Sequence, residues 1–232
     1  MIELADPQLP AHELVLLPDD PLRGEPGTGD EPQPLAGRIT LNGPSVRRLT
    51  PAQLAADAEL AGYAEAEAGR YAYYLVWFAV TFSPSPKRPR LEFAHVALQL
   101  TSTPQEPRPV AHSMEPMRVT DPVQINRTRR LGPQLSLLGA DASLGEVGRS
   151  VQYTTHQPFV EALGLQGADP AWEFRRTRTH ELSGCHRLDV VVRTAADAVT
   201  EVAFTVKAGV KIPLLRRYTR RLPVPLRLEA TL

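Results

Sequence analysis

The chain has 232 residues, with 26 Lys and Arg against 26 Asp and Glu, 23 Pro and one Cys. This length fits one globular domain, or a domain with an appendage. A single Cys excludes a disulfide-stapled scaffold and favours a reducing compartment, so we expect a cytoplasmic protein. The longest uncharged stretch, residues 71–86, falls short of the ~20 apolar residues that a membrane-spanning helix needs. The acidic, proline-broken N-terminus predicts no secretory signal.

The zero net charge conceals an uneven distribution along the chain. Residues 1–70 carry 5 basic and 12 acidic groups, whereas residues 71–232 carry 21 basic and 14 acidic groups. Arginine provides 23 of the 26 cations, and its planar fork suits carboxylate or phosphate groups. Coding bias toward arginine is the alternative explanation. If the arginines serve to bind such groups, the basic surface is a binding face.

The N-terminal segment has the composition of an appendage. Residues 1–35 contain seven Pro and eight Asp or Glu but no aromatic residue, so they bury too little apolar surface to offset the entropy of ordering. We expect this acidic, proline-rich segment to be largely extended or disordered, except for a short edge strand at residues 14–17. Residues 36–232 are then a single β-rich domain.

One helix is predicted early in this domain. Thr50 can cap it, Pro51 suits the first turn, Gln53 completes a capping box, and Gly69 can end it. These signals predict a helix over residues 50–68 that packs on a sheet through a narrow face of mostly Ala residues.

Period-two alternation dominates the rest of the chain and predicts strands. Residues 71–82 and 91–100 are interpreted as a hairpin, with a bulge near Ala94 or His95. Shorter alternating pieces lie at residues 123–125, 135–137 and 146–155. Runs that begin at Trp172, Arg187 and Val202 predict a three-stranded antiparallel meander. The fold class predicted is therefore mainly β, as an antiparallel β-sandwich or a two-layer twisted sheet with one N-terminal helix.

Few residues carry the spacing of a catalytic or metal site. Nucleotide-binding glycine motifs are absent from the sequence. His180, Cys185 and His186 cluster in sequence, but adjacent strand positions face opposite sides and further zinc ligands are missing. Cys185 with His112 or His156 resembles the parts of a thiol hydrolase, without a local nucleophile signature. We therefore expect no metal, no cofactor and no catalytic residues.

The clearest local feature is the basic C-terminal segment. Residues 207–232 carry seven cations and one acid. On a helix beginning at Pro213, Leu214, Tyr218 and Leu222 would form one stripe with arginines beside it. The candidate binding residues, which are to contact a partner or an anion, are Arg216, Arg217, Arg220, Arg221, Tyr218, Arg175, Arg176 and Arg178.

A second basic group, Arg127, Arg129 and Arg130, would enlarge the arginine-lined patch if its strand neighboured that of Arg175. These features favour a non-catalytic cytoplasmic binding or adaptor module that acts through protein–protein interaction at an Arg-rich face. One alternative is a hydrolytic enzyme with a His/Cys site near a proline-rich loop over residues 102–122. Another is a β domain that binds an anionic ligand, either nucleic acid or lipid.

Overall fold

Two antiparallel sheets and a short helical segment make up the fold, which confirms the predicted fold class of a mainly β sandwich with one small helical region. The computed structural model describes residues 10–14, 16–18, 35, 37–54, 58–86, 89–130, 148–210, 218–221 and 226–232.

The strands and helices follow one another in a simple chain order. The first part contains β1 (Ala11–Glu13), β2 (Leu17–Pro18), β3 (Ile39–Arg48), α1 (Pro51–Leu54), α2 (Ala58–Ala66), β4 (Tyr71–Phe82), β5 (Leu91–Thr103) and β6 (Val110–Glu115). The second part contains β7 (Arg118–Arg130), β8 (Gly148–Leu163), β9 (Ala171–Arg175), β10 (Gly184–Ala195), β11 (Val199–Val210), β12 (Tyr218–Arg221) and β13 (Leu226–Thr231). None of the described helices is long and apolar enough to cross a membrane.

Strand order differs from the order that the sequence suggested. One sheet has the order β1-β3-β4-β10-β6, and the other has the order β2-β12-β11-β5-β9-β8-β7, with β13 also paired to β11. The predicted hairpin of β4 and β5 is wrong because the two strands lie in different sheets. The predicted meander is also wrong, since β10 pairs with β4 and β6, whereas β9 and β11 lie on either side of β5. Alternation fixes which face of a strand is buried but leaves its neighbours open.

The core lies between the two sheets and is centred on aromatic side chains. Phe78 of β4 is fully buried and meets Trp172 of β9 and Phe204 of β11 edge to face, with ring centroids 5.6 and 4.9 Å apart. The Trp172 Nε1 group donates a hydrogen bond to the carbonyl oxygen of Pro116 at 3.0 Å. Edge-to-face pairs of this kind add to the stabilisation from buried area. Phe78 therefore links both sheets.

A small polar cluster also joins the sheets. The Thr200 hydroxyl on β11 lies 2.8 Å from the Ser102 hydroxyl on β5 and 2.7 Å from the Thr194 hydroxyl on β10. All three residues are buried, so these hydrogen bonds offset the cost of removing the hydroxyls from water.

The predicted helix start has its capping box. The backbone N–H of Thr50 donates to Gln53 Oε1 at 3.0 Å, and the backbone N–H of Gln53 donates to the Thr50 carbonyl at 2.9 Å. Over the residues described, the helical region consists of α1 and α2, and residues 55–57 lie outside the description.

The N-terminal segment contributes two short strands and buried leucines. β1 pairs with β3 and β2 pairs with β12, while Leu14, Leu16 and Leu35 are buried in the core. The division of the chain at residue 35 stays a prediction, because most of residues 1–35 lie outside the described part.

Candidate functional site

The longest hairpin of the fold is formed by β7 and β8. The two strands pair from Arg118 with Glu161 to Arg130 with Gly148. Within the described residues, β9 borders β8 only from Val160 to Leu163, and β7 is the last strand of its sheet. Residues 122–130 and 148–156, here named the ribbon, therefore pair with each other beyond β9. Nine residues of strand span about 30 Å.

The register of the ribbon pairs its residues at two alternating sets of positions. One set consists of Pro122 with His156, Gln124 with Thr154, Asn126 with Gln152, Thr128 with Ser150 and Arg130 with Gly148. The other set consists of Val123 with Thr155, Ile125 with Tyr153, Arg127 with Val151 and Arg129 with Arg149. Both sets are therefore basic toward the far end of the ribbon.

Four arginines fall within the last four pairs of the ribbon, and we name them the arginine belt: Arg127, Arg129, Arg130 and Arg149. Arg129 and Arg149 are directly opposite each other, and like charges in such a pair destabilise a hairpin in water. An anionic group beside the pair removes this cost. The belt therefore has the composition of an anion-binding site.

The belt flanks a leucine-rich stretch of sequence. Residues 131–147 lie outside the described part, and the prediction of a short alternating piece at residues 135–137 falls there. Their sequence holds five Leu and one charged residue, Asp141, between positions 131 and 145. Arginines therefore stand on both sides of a stretch of sequence that is rich in leucine and low in charge.

The root of the hairpin is built around Asp121 on β7. Its carboxylate oxygen Oδ2 accepts hydrogen bonds from the hydroxyl of Thr177 at 2.6 Å and from the hydroxyl of Thr179, and it lies 3.3 Å from His180 Nδ1. Because these groups stabilise the charged form, first of all Thr177, they lower the pKa of Asp121 to about 2. The side chain is only 5% exposed. Asp121 thus ties β7 to the loop between β9 and β10.

A bulge lies one residue away from this carboxylate. Val119 is paired with Val160 whereas Thr120 is paired with Pro158, so Phe159 is the extra residue on β8. The Phe159 ring is buried and lies 5.5 Å from the ring of His180 and 5.7 Å from the ring of His186. Both strands of the hairpin therefore contact His180 at the root.

His186 titrates in an apolar environment, which makes stability depend on pH. Its ring lies within 5.3 to 5.7 Å of the rings of Phe82, Phe159 and Phe174, and this burial lowers the pKa of His186, while the Ser183 carbonyl opposes the shift. Burial also lowers the pKa of His95. A histidine of lowered pKa takes up its proton first in the unfolded chain, so folding stability falls as the pH drops below about 6.5.

We therefore expect the melting temperature, measured by circular dichroism, to fall as the pH is lowered from about 7.5 to about 5.5. The variant His186→Gln keeps an N–H donor for the Ser183 carbonyl but does not titrate, so its melting temperature should fall less over this range. The variant His12→Gln on β1 is the matched control and should follow the wild type. An equal fall in the wild type and His186→Gln would show that His186 does not cause the dependence.

The structure brings two of the predicted binding arginines against carboxylates. Arg175 Nη2 lies 2.5 Å from Glu173 Oε2, and Arg176 Nη1 lies 2.7 Å from Glu92 Oε1. Together with Gln157, these four side chains line a shallow groove of about 420 Å³. Arg178 is exposed. The charges of Arg175 and Arg176 are thus compensated within the fold.

The remaining predicted binding residues lie near the C-terminus. Arg216 and Arg217 fall outside the described residues, and Tyr218, Arg220 and Arg221 lie on β12. The expected helix is therefore replaced over 218–221 by a strand, which pairs with β11 and β2. The strand of Arg127 does not neighbour that of Arg175, because β8 lies between β7 and β9, so the condition for a joined patch is not met. A binding role for the eight predicted residues stays a prediction.

The His/Cys candidates are spread over the fold. The predicted loop over residues 102–122 contains β6 and the start of β7. His112 lies on β6 between Ala111 and Ser113, which pair with Val192 and Val191 of β10, about 20 Å along that strand from Cys185, which is exposed. In the described part of the chain, no group of three or more His, Cys, Asp or Glu side chains could hold a metal ion. His156 lies on the ribbon, opposite Pro122.

The sequence alone did not point to two features of the hairpin. Arg149 was not singled out, because its place opposite Arg129 follows from the strand register alone. Asp121 stands between Val119 and Val123 in a series of alternate residues that is otherwise apolar. A charged residue at such a position was the sequence signal that could have identified it.

Comparison with known proteins finds similarity only among solved structures. No protein-family model matches the sequence, and no curated protein matches it. The membrane-inserted form of the NetB toxin from Clostridium perfringens is similar with 10% identity and a TM-score of 0.30, over 68% of this chain and 82% of that one. A pore-forming protein is similar with 8% identity and a TM-score of 0.30, over 82% and 89% of the two chains. The delta-toxin of Clostridium perfringens is similar with 6% identity and a TM-score of 0.25, over 80% and 86%.

These similarities correct the functional predictions from sequence. The cytoplasmic adaptor module, the protein partner and the cytoplasmic location are wrong, because the structures found are toxins and pore-forming proteins, one of them inserted in a membrane. TM-scores of this size assign no mechanism to the chain. The function proposed below is drawn from its own residues.

Proposed function

We propose that this protein acts on lipid bilayers and that the β7–β8 hairpin is the part that contacts and enters them. The observation that carries this proposal is the register of the ribbon, which brings the arginine belt into its last four pairs, on both sides of the leucine-rich residues 131–145. Basic residues next to an apolar segment match the two layers of a bilayer surface, headgroup phosphates and acyl chains.

The arginine belt supplies the first contact. Arginine binds phosphate oxygens through two parallel hydrogen bonds, and each basic residue near an anionic leaflet contributes about 1 kcal/mol. Phosphate groups would also relieve the repulsion between Arg129 and Arg149. Attachment through the belt therefore favours membranes that contain anionic lipid.

The belt also limits how deeply the hairpin enters. An arginine that faces lipid costs ~2–4 kcal/mol at the middle of the bilayer but only ~0–1 kcal/mol near its surface. The five leucines of residues 131–145 carry no such cost and gain from leaving water. The arginines then stay at headgroup depth while the leucine-rich segment enters the acyl region.

Vesicle binding tests this proposal. Wild-type protein is sedimented with phosphatidylcholine vesicles that either contain or lack phosphatidylglycerol and hold an entrapped dye. We expect binding and dye release with the anionic vesicles, and we expect added salt to weaken both because it screens the arginines. Failure to bind either type of vesicle at low salt would contradict the proposal.

A further inference from the structure

We propose that Asp121 and Phe159 form a latch that holds the β7–β8 hairpin to the sandwich, and that the hairpin moves about the adjacent bulge when this latch opens. This inference rests on the proposed function, because it describes how the membrane-contacting hairpin is held before use. The latch is defined by Asp121, Phe159, Thr177, Thr179 and His180.

On the carboxylate side of the latch, three polar side chains of one loop surround one oxygen of Asp121. Thr177 and Thr179 donate their hydroxyl groups to Asp121, and His180 Nδ1 lies 3.3 Å from the same oxygen. Two hydrogen bonds within the loop stabilise its conformation. The backbone N–H of His180 donates to the Thr177 hydroxyl at 3.0 Å, and the backbone N–H of Thr177 donates to the His180 carbonyl at 3.0 Å. Because the loop is stabilised in this way and its side chains contact one carboxylate, it fixes the position of β7 at Asp121.

On the aromatic side of the latch, Phe159 fixes β8 close to the point at which Asp121 fixes β7. Phe159 is the residue that the bulge adds to β8, and its ring is buried against His180 and His186. Beyond this point, from residue 156 back to residue 148, the described partner of β8 is β7. Among the described contacts, those of Asp121 and Phe159 hold the hairpin at its root, beside a bulge where strands bend readily.

The position of the latch explains how the hairpin could leave its place without unfolding the sandwich. Asp121 and Phe159 lie on the hairpin, whereas Thr177 and His180 lie on the loop that joins β9 to β10. Loss of their contacts leaves the aromatic core at Phe78, Trp172 and Phe204 intact. Phe159 packs in the same core, so opening the latch removes one ring from it and leaves these central contacts in place.

Hydrogen exchange without lipid tests the latch. In Asp121→Asn, the charged acceptor of the Thr177 and Thr179 hydroxyls is lost, so the hairpin is held less firmly at its root. A two-stranded hairpin is only marginally stable by itself, so the amide exchange of residues 148–156 should rise about tenfold or more, while exchange in β4 and β10 stays near the wild type. Thr177→Val removes a donor instead and should raise exchange in the same residues. Glu67→Gln is the matched control, because Glu67 accepts hydrogen bonds from Tyr73 at 2.7 Å and Arg193 at 2.6 Å, away from the hairpin.

Three results would overturn the latch: unchanged exchange in residues 148–156, a rise spread evenly over the chain, or the same rise in Glu67→Gln. The exchange readout involves no membrane, so the latch can fail while vesicle binding stands, and vesicle binding can fail while the latch stands. If the protein binds vesicles and the latch holds the hairpin, Asp121→Asn should release vesicle dye faster than the wild type, and Glu67→Gln should not. Equal rates in Asp121→Asn and the wild type would contradict the role of the latch in hairpin movement.

Discussion

Phe78→Ala should lower the free energy of unfolding by about 3–5 kcal/mol, the largest effect expected from a single substitution in this chain. The ring is fully buried and lies edge to face with Trp172 and Phe204, so its removal leaves a cavity between the two sheets and ends both aromatic contacts. Native stabilities are only ~5–15 kcal/mol, so this loss would remove a large share of the total.

Urea unfolding followed by tryptophan fluorescence measures this effect, since Trp172 lies beside the altered site. Tyr63→Ala on α2 also removes an aromatic ring, but that residue is 47% exposed, so we expect a much smaller change. A loss below about 1 kcal/mol in Phe78→Ala would contradict the packing described between the sheets.

Replacing all four arginines of the arginine belt with Gln should weaken binding to anionic vesicles by about a thousandfold. Each arginine near an anionic surface contributes about 1 kcal/mol, so the four together contribute about 4 kcal/mol, or about three powers of ten in affinity. Glutamine keeps similar length and polarity, so the change tests charge rather than side-chain size. The variant should fold as well as the wild type, because it also removes the repulsion between Arg129 and Arg149.

The matched control removes the same amount of charge elsewhere. Its substituted residues have side chains that are 67%, 77%, 59% and 41% exposed: Arg90, Arg108, Arg175 and Arg187. Titration of both variants with phosphatidylglycerol vesicles should show a far smaller loss for this control. Equal losses would mean that attraction depends on net charge alone and that the belt has no special part in it.

Local patterns in the sequence predicted the sandwich well. Alternating residues identified β4, β5 and β11, and Thr50 with Gln53 marked the start of the helical region through a capping box that the structure contains. These features depend on residues that are close in sequence, where backbone periodicity and capping chemistry decide the outcome.

Pairing between distant strands could not be predicted in the same way. β4 is apolar on both faces and fits several neighbours equally well, so its pairing with β10 rather than β5 depends on the whole sandwich. The candidate site likewise depends on pairing between strands. Arg127, Arg129 and Arg130 were visible as a basic group, but Arg149 joins them only through the register of β7 and β8.

The same limit applies to the partners of the predicted binding arginines, whose binding role stays a prediction. Glu173, which pairs with Arg175, is two residues away on the same strand, whereas nothing local shows that Glu92 pairs with Arg176. Glu92 and Arg176 are far apart along the chain and meet because β5 pairs with β9. Charge counted along a sequence therefore overestimates the charge that a folded surface presents.

The most direct test of the central claim is to locate residues 135 and 137, which follow β7 in sequence, when the protein is on a membrane. An environment-sensitive dye is attached to a single Cys at Leu135→Cys or Leu137→Cys, or at the exposed Thr103→Cys as control, with Cys185→Ser removing the native exposed thiol. On phosphatidylglycerol vesicles we expect the dye at 135 or 137 to shift to shorter wavelength and to be quenched by spin-labelled lipid, with no change at 103. A vesicle-bound protein whose dye at 135 and 137 stays in water would contradict the account.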